Sequence, residues 1–354
     1  MNNLKKLSII MVVCILIMSL AGCGASPQTN EPSPEGSAEE LNNNIDNNND
    51  NNNDTRIALV LAGPISDMGW NASAYEGLML IKDKYGLEDV SYVESVTQSD
   101  MEDVLRNYAE LGYDLIYAHG SEFQDAVQAV ARDYPDNMFV IVNGFVGGDN
   151  IASVRVSNEQ QGFLAGVFAA LMTESGTVGV IGGALLDNII AAVDGFEAGA
   201  KYIDPSVQVL KAMTGSFEDV NAAKETAIAH IENGADYITA IANQAGLGAI
   251  EAAEERGIYA IGSNTDQFDA APSAVVVSVV RYVPKALVFA YEQYAEGKLE
   301  PEVYTLGYNE GVIFYSSFHD FEDFVPQEVK DKLKEITADL AAGKINVREL
   351  IEAL

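Results

Sequence analysis

Cysteine is nearly absent from this chain, with only Cys14 and Cys23 among 354 residues. Cys14 lies in an N-terminal segment that reads as a removable leader. A chain without it has no disulfide, no Cys-ligated metal and no cysteine nucleophile. Histidine is as scarce: His119, His230 and His319 lack any metal-ligand spacing. Cations are few, with 20 Lys and Arg against 53 Asp and Glu and a formal net charge of −33. That field repels phosphate backbones and excludes nucleic acid as a partner. No Gly-x-Ser-x-Gly elbow, Walker phosphate loop or Gly-x-Gly-x-x-Gly after the first strand is present. Carboxylates are so numerous that no pair stands out as acid and base. These absences describe a binder rather than an enzyme, and no cofactor or metal is called for.

The N-terminus carries the clearest positive signal. Lys5 and Lys6 precede an apolar run from Leu7 to Leu20, followed by Ala21-Gly22-Cys23. Charged, apolar and small-residue regions in that order form a secretory signal peptide. The apolar run is shorter than the ~20 residues a spanning helix needs. Leu20-Ala21-Gly22-Cys23 resembles a bacterial lipobox, which implies a signal peptide over 1–22 and lipidation of Cys23. From Gly24 to about Thr55 the chain is rich in Pro, Ser and Glu, then in Asn and Asp. Nothing there can form a core, so residues 23–55 read as a lipidated, disordered tether. Its expected end-to-end span is on the order of 30 Å.

Folded sequence begins at Arg56-Ile57-Ala58-Leu59-Val60-Leu61, a buried-strand pattern. Asp100 is expected to cap a helix with Met101, Val104, Leu105, Tyr108 and Leu111 on its apolar face, stopped by Gly112. A strand at Asp114 to Ala118, a helix with Phe123, Val127 and Val130, and a strand at Met138 to Val142 follow. Short apolar strands alternating with helices predict an α/β fold with parallel sheets. Gly112-Tyr113-Asp114-Leu115-Ile116-Tyr117-Ala118 is echoed by Gly234-Ala235-Asp236-Tyr237-Ile238-Thr239-Ala240. The echo predicts two similar doubly wound lobes. Ligands of such sheets bind beyond the carboxyl ends of the strands, here in a cleft between lobes.

The loop after the first strand, Gly63 to Asn71, holds Trp70, the only tryptophan in the chain. Two readings fit it. Trp70 is a stacking platform at the cleft mouth with Asn71 as hydrogen-bonding neighbour, or it is a core residue on a helix capped by Asp67.

Asp67-Met68-Gly69-Trp70-Asn71 with Tyr75-Glu76-Gly77-Leu78 resembles the opening motif of the basic membrane protein family. These Med/PnrA-like lipoproteins are substrate-binding components of nucleoside ABC transporters. Further resemblances follow in order: Gly162 to Gly166, Val178 to Gly183, Gly195 to Ala200, Thr214 to Phe217, and Tyr259 to Gly262 with Asp266-Gln267. The resemblance implies a two-lobed fold like the type I periplasmic binding proteins. Its expected lobes are 56–157 with 282–305, and 158–281 with 306–354. It implies a purine ring held between Trp70 and Phe217, with Asn71 reading the base edge and with Asp67, Asn243, Asn264, Asp266 and Arg281 among the further ligand contacts. The loop His119-Gly120-Ser121-Glu122-Phe123, with Asp125, would add base contacts.

The chain also departs from the family pattern. Where the family has Gly-x-Asp-x-Asp-Gln, this chain reads Gly262-Ser263-Asn264-Thr265-Asp266-Gln267, and Arg281 stands near the expected Lys. A normally Gly-rich loop reads Ala242-Asn243-Gln244-Ala245-Gly246, which would bring bulkier amides into the cleft. These changes neutralise or shrink the ribose end, so a free purine base or altered nucleoside fits as well as an ordinary purine nucleoside. The implied partners are an ABC permease with its ATPase subunits, and the membrane through the lipid anchor on the outer face of the cytoplasmic membrane. A sugar- or autoinducer-type ligand is the competing reading within the binding class. A ligand sensor acting on a membrane receptor is the competing reading outside transport.

Overall fold

The computed structural model describes residues 54–67 and 70–354, apart from the Asp67 side chain. The leader, Cys23 and all but the last two tether residues lie outside the described residues.

The first sheet takes β1 (Ile57–Leu61), β2 (Val90–Val93), β3 (Leu115–His119), β4 (Met138–Val142) and β5 (Ile151–Val156). The second takes β6 (Thr177–Gly182), β7 (Gln208–Met213), β8 (Tyr237–Ile241), β9 (Tyr259–Asn264) and β10 (Val275–Arg281). The late strands β11 (Val303–Leu306) and β12 (Ile313–Tyr315) are shared out, one to each sheet. The orders are β11-β5-β4-β3-β1-β2 and β12-β10-β9-β8-β6-β7. The second order repeats the first, and every pairing is parallel except β10 with β12. All residues of β1, β3, β6 and β8 are buried, the continuous apolar pattern of strands covered on both faces.

Ten helices among the described residues supply that cover. Those of the first half are α1 (Trp70–Tyr85), α2 (Met101–Glu110) and α3 (Gln124–Ala131). The middle of the chain adds α4 (Asn158–Met172), α5 (Asp187–Ile203), α6 (Val220–Glu232) and α7 (Gly246–Arg256). The remainder are α8 (Val283–Ala295), α9 (Gln327–Ala341) and α10 (Val347–Glu352). None is long and apolar enough to cross a membrane.

The internal echo has a physical basis. Gly112 and Gly234 follow α2 and α6 at φ of 78° and 96°, where a side chain would be strained. Asp114 Oδ2 then accepts from Arg56 N at 2.8 Å, tying the entry of β1 to β3. Asp236 does the same for the segment leading into β6, accepting from Glu174 N (2.7 Å) and Ser175 N (2.8 Å). Another glycine set serves close approach. A methyl on Gly162 or Gly166 of α4 would overlap the carbonyls of Ala192 and Phe196 in α5. One on Gly195 or Gly199 would strike Glu159 and Phe163 in return. The family-like glycines thus let two helix backbones touch.

Two local expectations need correcting. Asp100 makes no side-chain cap; its carboxylate accepts from the Thr97 hydroxyl at 2.6 Å instead. Leu111 follows the last turn of α2 and is 54% exposed rather than on the apolar face.

The chain passes between the sheets three times. Ser157 links β5 to α4, Tyr282 links β10 to α8, and residues 307–312 link β11 to β12.

Candidate functional site

In both sheets strand order reverses direction at the first strand, between β1 and β3 and again between β6 and β8. Loops leaving the carboxyl ends on either side of such a reversal diverge and open a crevice. A cavity of about 340 Å³ lies at these points. From the first sheet it takes Trp70 and Ser73 after β1, Gly120, Ser121 and Glu122 after β3, and Asn143 after β4. From the second come Leu186, Asn188 and Ile189 after β6, Phe217 after β7, Ile241 and Asn243 around the end of β8, and Asn264 and Thr265 around the end of β9. Arg281 and Val283 flank the Tyr282 crossing.

Six of the expected site residues therefore share one cavity: Trp70, Gly120, Phe217, Asn243, Asn264 and Arg281. Trp70 opens α1, and its ring stacks on His119 with centroids 4.0 Å apart and planes 26° apart. The Trp70 carbonyl accepts from His119 Nε2 at 2.9 Å. His119 is fully buried at the end of β3, so it backs the tryptophan instead of lining the cavity. Phe217 sits in a loop pinned by Ala245 N, which donates to its carbonyl at 2.9 Å.

The other expected residues whose side chains are described lie elsewhere. Asn71 is buried, with Oδ1 accepting from Gly63 N at 3.3 Å, which fixes the loop behind Trp70. Phe123 ends the 3-10 turn Ser121–Phe123 and packs wholly into the core. Asp125 is exposed in the first turn of α3. Asp266 is held by His319 Nε2 at 2.7 Å and by Ser278 Oγ at 3.3 Å, away from the cavity lining. Asp67 ends a 3-10 turn before α1, and its side chain lies outside the described residues. Gln244 is exposed and also stands outside the lining, so only one amide of its loop enters.

Behind the lining is a set of amides that the sequence did not reveal. Gln161 Nε2, in the first turn of α4, donates to Asn264 Oδ1 at 3.0 Å and Ser263 Oγ at 3.1 Å. Asn264 Nδ2 donates in turn to Asn243 Oδ1 at 3.3 Å. Asn158 Oδ1 accepts from Arg281, and Gln160 Oε1 accepts from Tyr308 N at 2.8 Å. One helical turn thus grips both other crossings and one binding side chain. Contacts more than 100 residues apart in the chain leave no local sequence signal.

Two charges face the cavity. Burial lowers the Arg281 guanidinium to about 10. Desolvation at the cleft wall raises the Glu122 carboxyl above its usual range. No cluster of three metal-ligating side chains occurs among the described residues.

The geometry can be set beside known proteins. Residues 54–348 match the family model described as ABC transporter substrate-binding protein PnrA-like. The chain belongs to this family. It is 31% identical to the transcriptional activator protein Med of Bacillus subtilis over 328 residues, covering 91% of this chain and 95% of Med. It is 32% identical to basic membrane protein B of Borreliella burgdorferi, covering 79% and 86%. Among solved structures, a transcriptional activator of the comK gene from Bacillus halodurans superposes with TM-score 0.72 at 27% identity, over 81% of this chain and 97% of that one. A solute-binding protein of an Aeropyrum pernix ABC transporter system gives TM-score 0.69 at 21% identity, over 82% and 92%, a likeness of fold. This Bmp-family chain is a substrate-binding protein of the ABC transporter class.

Proposed function

We propose that this Bmp-family protein captures a purine nucleoside or free purine base and passes it to an ABC permease driven by separate ATPase subunits. The observation that carries the reading is the cavity itself. It brings Trp70 from one lobe and Phe217 from the other to a single space of about 340 Å³. Two aromatic faces in a cavity also lined by polar side chains such as Asn243, Asn264 and Arg281 suit a flat, edge-polar ring. Hinge closure about the three crossings would bring the faces onto the ligand. The lobes are taken as 56–157 with 282–305, and 158–281 with 306–354. The lipobox-like Cys23 would hold the protein on the outer face of the membrane beside its permease. Native mass spectrometry of the purified protein tests the ligand: a co-purified purine mass is expected, and a hexose mass would contradict it. A Cys23→Ala chain should leave the membrane fraction.

A further inference from the structure

A buried positive charge in the cavity wall has no counter-charge in the protein. Arg281 ends β10 and lines the cavity. No carboxylate among the described residues forms an ion pair with it. Burial alone lowers its guanidinium, with no neighbouring acid to offset the shift. One terminal nitrogen donates to Asn158 Oδ1, a neutral partner. The Nε is sealed in the wall, whereas the second terminal nitrogen is not fully buried and has no hydrogen-bond partner among the described residues. Buried charges in proteins are normally paired, and one left unpaired is costly.

The wall around Arg281 offers donors rather than acceptors. Val280 pairs with Asn264 across β10 and β9, which sets Arg281 beside Asn264 at neighbouring strand ends. Gln161 Nε2 holds Asn264 Oδ1 from behind, and Asn264 Nδ2 donates to Asn243 Oδ1. That polarity leaves the Asn243 N–H groups for a ligand. The lining from the second sheet contains no carboxylate, and position 264, an acid in the family pattern, is an amide here. The acid of the lining, Glu122, comes from the loop after β3 in the first sheet.

Resting on the stacked-purine reading, we propose that the ligand carries an anionic group of the phosphate monoester class at this end, so that a purine nucleoside monophosphate is preferred to its nucleoside, with Arg281 as the counter-ion. A phosphate brings both the missing charge and several acceptor oxygens to a wall of donors. The protein's net charge of −33 opposes its approach through solvent. Salt screens that surface repulsion more than it screens a desolvated pair.

Calorimetric titration of the wild-type protein with inosine monophosphate against inosine, and with adenosine monophosphate against adenosine, tests this. The monophosphate of at least one pair should bind about 10- to 150-fold more tightly, and raised salt should not shrink the gap. Arg281→Gln should erase the gap, and Arg281→Lys, which keeps the charge, should retain most of it. Inosine with added inorganic phosphate should not reproduce the gain; if it does, a free anion site replaces the phosphomonoester. Equal affinities, a preference for the nucleoside, or binding of hypoxanthine or adenine alone would overturn the anionic ligand and leave the stacked purine standing. A gap that persists in Arg281→Gln would overturn the role of Arg281. Binding of no purine in any of these forms would overturn both readings. The wild-type comparison decides the ligand class even if a variant fails to fold.

Discussion

Replacing Phe217 by Ala isolates one face of the proposed sandwich. The loop should survive the change. Ala245 N bonds the Phe217 carbonyl, Thr214 N bonds Gly182 O at 2.9 Å and Gly215 N bonds Gly183 O at 2.8 Å, none of which uses the ring. The ring itself is only part-buried, resting against Gly183. What is lost is chiefly the aromatic face offered to the ligand. Base–aromatic stacking is worth ~1–3 kcal/mol, so affinity should fall about 5- to 150-fold. Trp70→Ala should cost more, because the Trp70 ring is also the partner of His119. The assay is calorimetry with whichever purine the wild type binds best, with thermal unfolding of each variant as a control. A Phe217→Ala protein that stays folded and binds within about twofold of wild type would refute the stacking argument.

Two further predictions concern the scaffold. His230 is buried against β6, and desolvation lowers its pKa below the usual 6.5, so the unfolded chain binds its proton more readily. That stability contribution is complete above pH 6.5 and is lost as pH falls toward the depressed folded value. His230→Gln should therefore flatten part of the decline in denaturant midpoint between about pH 7 and 5, and parallel curves would contradict this. Gly162→Ala should destabilise by about 1–3 kcal/mol or more in urea unfolding, because its methyl meets the Ala192 carbonyl. An unchanged midpoint would show that α4 and α5 can separate freely.

The fold was readable because its signals are local. Apolar strand runs, helix faces and the repeated Gly-x-Asp segments each fit within a dozen residues, and Asp114 and Asp236 turn out to bond equivalent strand entries. The cavity lining was readable where strand ends open onto it, as at Trp70, Asn243 and Asn264. It was not readable where a single turn decides direction. The 3-10 turn that exposes Glu122 to the cavity sends Phe123 into the core, and His319, distant in sequence, draws Asp266 aside. Asn158 and Gln161 act from behind, which no pattern along the chain announces.

The central claim is that a purine stacks on Trp70, and the chain holds no other tryptophan to obscure the signal. Intrinsic tryptophan fluorescence during titration with hypoxanthine, adenine, inosine and adenosine tests it directly. The account predicts saturable quenching or shifting of the emission by at least one of them, with the midpoint moved to about 5- to 150-fold higher concentration in Phe217→Ala. An emission spectrum unmoved by all four, or one that saturates with a hexose instead, would contradict it.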